Sequence, residues 1–112
     1  MKSKFWGFLA FVAFPSFSIN TAFEVSPQST IATINSYSEY GGGDVHFTIA
    51  SPSTECPNGY WLRKTDPGFQ ANLSMVIAAY QAKSIIRING LLNELWPGTT
   101  GRACRVYSVS YR

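Results

Sequence analysis

Charge is scarce in this chain. Only 13% of its 112 residues are Asp, Glu, Lys or Arg, and His46 is the single histidine. So little charge excludes a polyelectrolyte tail or a charge-driven disordered segment. Cysteine is almost as rare. Cys56 and Cys104 stand far apart with no histidine beside them, so no cluster with zinc spacing exists and no metal site is expected. The "GGGD" at residues 41–44 lacks the Lys and Ser/Thr of a phosphate loop and reads as a turn. There is no internal repeat and no low-complexity linker. The apolar run at residues 5–14 is shorter than the roughly 20 residues a membrane-spanning helix needs, so no transmembrane anchor is expected.

That run has another reading. Lys2 and Lys4 precede it, and Pro15 and small or polar residues follow. This is the layout of a secretory signal peptide, residues 1–22, with cleavage after Ser18 or Ala22. Removing 22 of the 112 residues leaves 90, a single domain at 23–112. The two leader lysines leave with it. Seven basic residues then face six acids, and the net charge falls from +3 to +1. No basic patch remains for nucleic acid. All six tyrosines stay, with Trp61 and Trp96, a composition suited to recognition as well as to a core.

A domain of this size buries a modest share of its surface and benefits from a staple. Two cysteines and an export signal point to one disulfide, Cys56–Cys104, in a secreted or periplasmic protein. Closing a loop of about 50 residues is worth roughly 4 kcal/mol in chain entropy.

The pattern of elements follows from residue periodicity. Residues 24–28 read as an extended leader. Residues 30–40, rich in Ile, Thr and Tyr, read as a strand, and the glycines of 41–44 as the turn of a hairpin. Val45, Phe47 and Ile49 alternate with His46 and Thr48, which predicts a half-buried second strand. A short third strand spans 60–64, after the Pro57-Asn58-Gly59 turn. Asp66 as N-cap and Pro67 as first residue predict a helix. Its apolar face would be Phe69, Leu73, Val76, Ile77 and Tyr80. The β-branched 84–88 predicts a fourth strand, 96–101 a turn, and 103–111 a fifth strand. Strand, strand, strand, helix, strand, strand is the order of a small five-stranded OB-fold-like barrel, with the helix plugging one end.

The middle of the chain resembles a family. Cys56 and Trp61 precede a helix bearing Ser74, Ala78 and Ala79; the β-branched residues 85–88 follow, then the late Cys104. This is similar to the OB-fold binding subunits of bacterial toxins, of the subtilase cytotoxin, pertussis-like and typhoid toxin type, over about half the chain. The resemblance implies a homopentameric ring that binds cell-surface glycan and carries a separate catalytic A-type subunit. A stand-alone exported binding protein or enzyme inhibitor is the alternative.

Candidate residues follow from chemistry. Tyr37, Tyr40 and Trp96 offer rings for stacking on a ligand, with Asn35, Ser36 and Asn93 as hydrogen-bonding neighbours. Trp61, mid-strand beside the disulfide, is expected in the core, and Trp96, next to Pro97-Gly98, on the surface. Ser74, Ala78 and Gln81 lie off the apolar helix face and are uncharged, which suits a subunit contact. Asp44 and His46 share a strand face and are the one acid/base pair in reach of each other. Alternation puts such residues on a solvated face, so no enzyme activity and no cofactor are expected.

Overall fold

The structure, a computed structural model, describes residues 22–112. The export leader predicted at 1–22 lies outside the described residues, apart from Ala22.

Six strands and one α-helix follow in order. They are β1 (Phe23–Val25), β2 (Ile31–Ser36), β3 (Val45–Ile49), β4 (Tyr60–Leu62), α1 (Phe69–Ala82), β5 (Ile86–Leu95) and β6 (Cys104–Tyr111). The strands form one sheet in the order β1-β5-β6-β4-β3-β2. Every pairing is antiparallel except β4 with β6, which is parallel and joins only Tyr60 to Cys104 and Trp61 to Arg105.

Two points correct the five-stranded barrel. First, the sheet has six strands, because Phe23–Val25, which overlaps the extended leader expected at 24–28, pairs with Leu91, Gly90 and Asn89 of β5. Second, the sheet does not close. Its two edges, β1 and β2, are consecutive in the chain, and the segment between them touches β5 through the Ser29–Ile86 bridge and through Ser26. Pro27 has no N–H to donate, so a ladder cannot run through this segment. The Ser26 hydroxyl instead accepts from the N–H of Ile88, while the Ser26 N–H donates to the Ile88 carbonyl. β5 is also longer than the 84–88 expected from β-branched residues. It continues through Gly90 and Leu91 to Leu95, with register shifts against β6.

The core lies on one face of the sheet under the helix. Val45, Phe47 and Ile49 point inward, as their alternation predicts, and join Tyr60, Leu62, Ile86, Ile88 and Val106. Each such side chain, fully buried, stabilises by about 1.5–3 kcal/mol. Tyr60 fits because residue 90 is glycine. A Cβ there would stand 2.9 Å from the Tyr60 ring and 3.3 Å from the Cys104 Cβ. β4 is buried on both sides, since Trp61 on the other face packs with Trp96 and Ala103 in a second cluster.

The predicted helix is present, but it starts at Phe69 rather than at Pro67, and its capping and its buried stripe both differ. Asp66 does not cap it. Its carboxylate is held by Arg105, which donates to both oxygens at 2.9 Å, and by Arg63 at 2.9 Å. Gly68 is the N-cap, without a side-chain bond. The buried residues are Phe69, Val76 and Ala79, with Leu73 and Met75 partly covered. Ile77 and Tyr80, expected inward, are 45% and 40% exposed. The stripe has turned so that the small Ala79, fully buried, meets the sheet, and a small residue permits the closest backbone approach. At the other end Lys83 adopts φ 55°, and the N–H of Ser84 reaches back to the Ala79 carbonyl at 2.9 Å, a left-handed helix stop.

The predicted disulfide is present. Cys56 and Cys104 are bonded, both almost completely buried, and no free cysteine exists among the described residues. The bridge closes a 48-residue separation beside the two-residue parallel ladder. Replacing both cysteines by serine should therefore lower the unfolding free energy by about 2–5 kcal/mol in urea titrations. Thiol titration of the unfolded, unreduced wild-type chain should find no free thiol.

Candidate functional site

The hairpin between β2 and β3 ends in three glycines, and each has a positive φ: 65° at Gly41, 81° at Gly42 and 113° at Gly43. Side chains other than glycine rarely adopt these angles. The turn that results is a tight 3-10 loop at Tyr40–Gly42, in which Gly43 and Asp44 both donate to the Tyr40 carbonyl at 3.1 and 3.0 Å. The Tyr37 N–H then donates to the Asp44 carbonyl at 3.0 Å. The loop thus folds Tyr40 back beside Tyr37.

Trp96 arrives from the other half of the chain, directly after β5. Its backbone N–H donates to the Ala103 carbonyl at 2.9 Å, and its indole Nε1–H donates to Asp44 Oδ2 at 2.9 Å. The three rings meet at one corner. Centroids are 6.3 Å apart for Tyr37–Tyr40, 5.6 Å for Tyr37–Trp96 and 5.8 Å for Tyr40–Trp96, at steep mutual angles. With Gly98 they line a cavity of about 150 Å³. Gly98 is pressed against the indole, and a Cβ there would collide with it. His46 stacks on Trp96 at 4.8 Å with an interplanar angle of 10°, and its Nε2 is hydrogen-bonded to the Asn58 carbonyl at 2.8 Å.

Of the residues singled out from the sequence, Tyr37, Tyr40 and Trp96 converge here. Trp96 is not the exposed ring expected. It is 5% exposed and forms the floor, because Asp44 gives its N–H a buried acceptor and His46 covers its ring. Trp61 is buried as expected, its Nε1–H on the Glu94 carbonyl at 2.9 Å. Asn35 and Ser36 are exposed at the end of β2, paired in register with His46 and Val45 beside the corner. Asn93 is exposed on β5 and does not line the cavity. Ser74, Ala78 and Gln81 are all exposed on the outer side of α1, away from the corner.

Asp44 is the residue whose role the sequence concealed. It is 2% exposed, with Oδ2 on Trp96 and Oδ1 without any partner. No hydrogen bond links it to His46, so the two do not form an acid/base pair. An acid placed directly after three glycines and before an apolar strand was the available signal, since its backbone had to enter a buried strand.

A second, larger groove of about 530 Å³ runs between β1 and residues 52–55. At its base the Tyr60 hydroxyl donates to Glu24 Oε1 at 2.8 Å. Burial pushes the Tyr60 hydroxyl well above the usual tyrosine range; hydrogen bonding with Ser53 works against this, and the nearby Glu24 carboxylate adds to it. Among the described residues no group of three or more His, Cys, Asp or Glu stands together as a metal site would require. No helix there is long and apolar enough to cross a membrane. Comparison of the chain with protein-family models finds no match, and comparison with curated proteins finds none.

Two outcomes are expected. Trp96→Phe removes the one donor to a buried carboxylate and should cost about 1–3 kcal/mol in urea unfolding. The same substitution in an Asp44→Ala background should cost clearly less, and equal costs would show that the bond contributes nothing. For Tyr60, the folded state holds its proton to higher pH than the unfolded chain, so unfolding releases a proton above the ordinary value of about 10. Stability should fall as pH rises past that value, and Tyr60→Phe should flatten the fall.

Proposed function

We propose that this protein is a non-catalytic exported binding subunit of toxin-like type, secreted or periplasmic. It assembles into a ring and recognises cell-surface glycan or a partner catalytic chain. The observation that carries the binding reading is the convergence of Tyr37, Tyr40 and Trp96, from separate parts of the chain, on one open cavity. The half-exposed rings of Tyr37 and Tyr40, held on the buried indole of Trp96, favour recognition, since a rigid ring contributes contact area at little entropic cost. Asn35, exposed and in register with His46, lies next to the corner. The non-catalytic reading draws on the same geometry. Both cysteines are bridged, and the one histidine is occupied by a ring stack and a backbone carbonyl.

The OB-fold-like reading has support in the order of elements. With β1 set aside, three strands, one helix and two strands remain. The ring draws support from α1. From Phe69 to Ala82 the helix carries no charged residue. Its exposed side presents Ser74, Ala78 and Gln81 next to Ile77, and a surface without charges is inexpensive to desolvate at a subunit contact.

Mass measurement of the mature chain under native conditions should give a pentamer. Ser74→Glu and Ala78→Glu should each shift it to smaller species by light scattering, with unchanged circular dichroism. A monomeric wild type, or two variants that assemble like wild type, would remove the ring and favour a stand-alone binding protein.

A further inference from the structure

We infer that the group taken into the Tyr37–Tyr40–Trp96 corner is a quaternary ammonium, such as the trimethylammonium of choline. The inference rests on reading this corner as the recognition site and names the chemistry it selects.

Three observations lead there. The corner is too small to enclose a sugar chain, so on a cell-surface glycan it takes a head group that the glycan carries. Its volume of about 150 Å³ lies below the roughly 300 Å³ where ordinary small-molecule pockets begin, and it matches a compact head group. Its walls are three aromatic rings and one glycine. The rings provide only two phenolic hydroxyls for hydrogen bonding, few for a sugar ring but sufficient for a guest that makes no hydrogen bonds. A cation without N–H groups is such a guest, and the negative faces of aromatic rings attract it. The rings touch one another at centroid separations of 5.6–6.3 Å, so a guest rests on the half-exposed rings of Tyr37 and Tyr40 rather than between all three.

The third observation is the sign of the charge behind the wall. Asp44 sits on the indole N–H edge of Trp96, almost wholly buried, with one oxygen unpartnered. No Lys or Arg forms an ion pair with it; the described ion pairs involve only Asp66 and Glu94. A buried carboxylate that lacks a cation is costly. A cationic guest in the corner offsets part of that cost, and the half-exposed tyrosine rings attract it as well. A neutral guest of the same shape gains neither effect.

The experiment is ¹H–¹⁵N NMR of the mature chain, following the Trp96 indole signal, identified by its loss in Trp96→Phe. Choline chloride should shift it saturably. The neutral carbon isostere 3,3-dimethylbutan-1-ol should bind at least about tenfold more weakly. Tyr40→Ala, at a ring that is 46% exposed and outside the core, should weaken choline by a similar factor while leaving the remaining spectrum folded. Asp44→Asn, which keeps the shape and removes the charge, should weaken choline and leave the isostere unchanged. Equal binding of choline and isostere overturns the inference. Shifts with neutral hexoses but not with choline overturn it too, while leaving the corner as a recognition site. No shift with either overturns both readings. Where choline binds, co-sedimentation with phosphatidylcholine vesicles assigns the group to a lipid head, and failure to sediment assigns it to a soluble or glycan-borne amine.

Discussion

The short parallel seam between β4 and β6 holds the molecule together. Two residue pairs join them in register, and on one side lie β3 and β2, on the other β5 and β1. A ladder this short would be weak alone. The Cys56–Cys104 bridge closes over it, the Cys104 N–H donates to the Gly59 carbonyl, and Arg105 of β6 grips Asp66 just ahead of the helix. A covalent link and a two-pronged ion pair thus do what further backbone bonds do in a longer ladder. The fold can join two halves of the chain without closing its sheet.

The candidate site depends on that seam. Tyr37 and Tyr40 belong to the β2–β3 half, and Trp96 follows β5 in the other. Only when β4 and β6 are in register does the indole N–H meet Asp44. The hydrogen bond leaves one carboxylate oxygen unpartnered in a buried place, a cost that a fold optimised for stability alone would avoid. The glycine turn compounds the cost in conformational entropy. Both features concentrate at one corner, where aromatic rings also gather. That concentration is why this corner, rather than the larger groove beside β1, is proposed as the recognition site.

The outer side of α1 is a separate surface with a separate chemistry. The helix meets the sheet through Ala79 rather than through its larger apolar residues, and this leaves Ile77 and Tyr80 outside. An uncharged helix with exposed apolar side chains suits contact with protein, whereas the corner suits a small guest. The proposed assembly and the proposed ligand therefore occupy different faces of one domain.

Much of this was legible in the residues themselves. Strict alternation at Val45, Phe47 and Ile49, the glycine run after Tyr40, the spacing from Phe69 to Val76 and the pairing of two cysteines are local signals, and local signals survive into the folded chain. The tyrosines and Trp96 were recognisable as rings able to stack on a ligand, though not as neighbours of one another. What the residues could not disclose were relations between distant segments. Phe23–Val25 became a strand only because β5 offered it an edge. Asp66 left its expected cap because Arg105, 39 residues away, bound both its oxygens. Trp96 sank from surface to floor because Asp44 supplied an acceptor for its N–H. The helix turned because the sheet received Ala79 more closely than Tyr80. A side chain's local preference is set by its own chemistry, whereas its final partner is set by which distant groups the tertiary fold brings within hydrogen-bonding or packing distance.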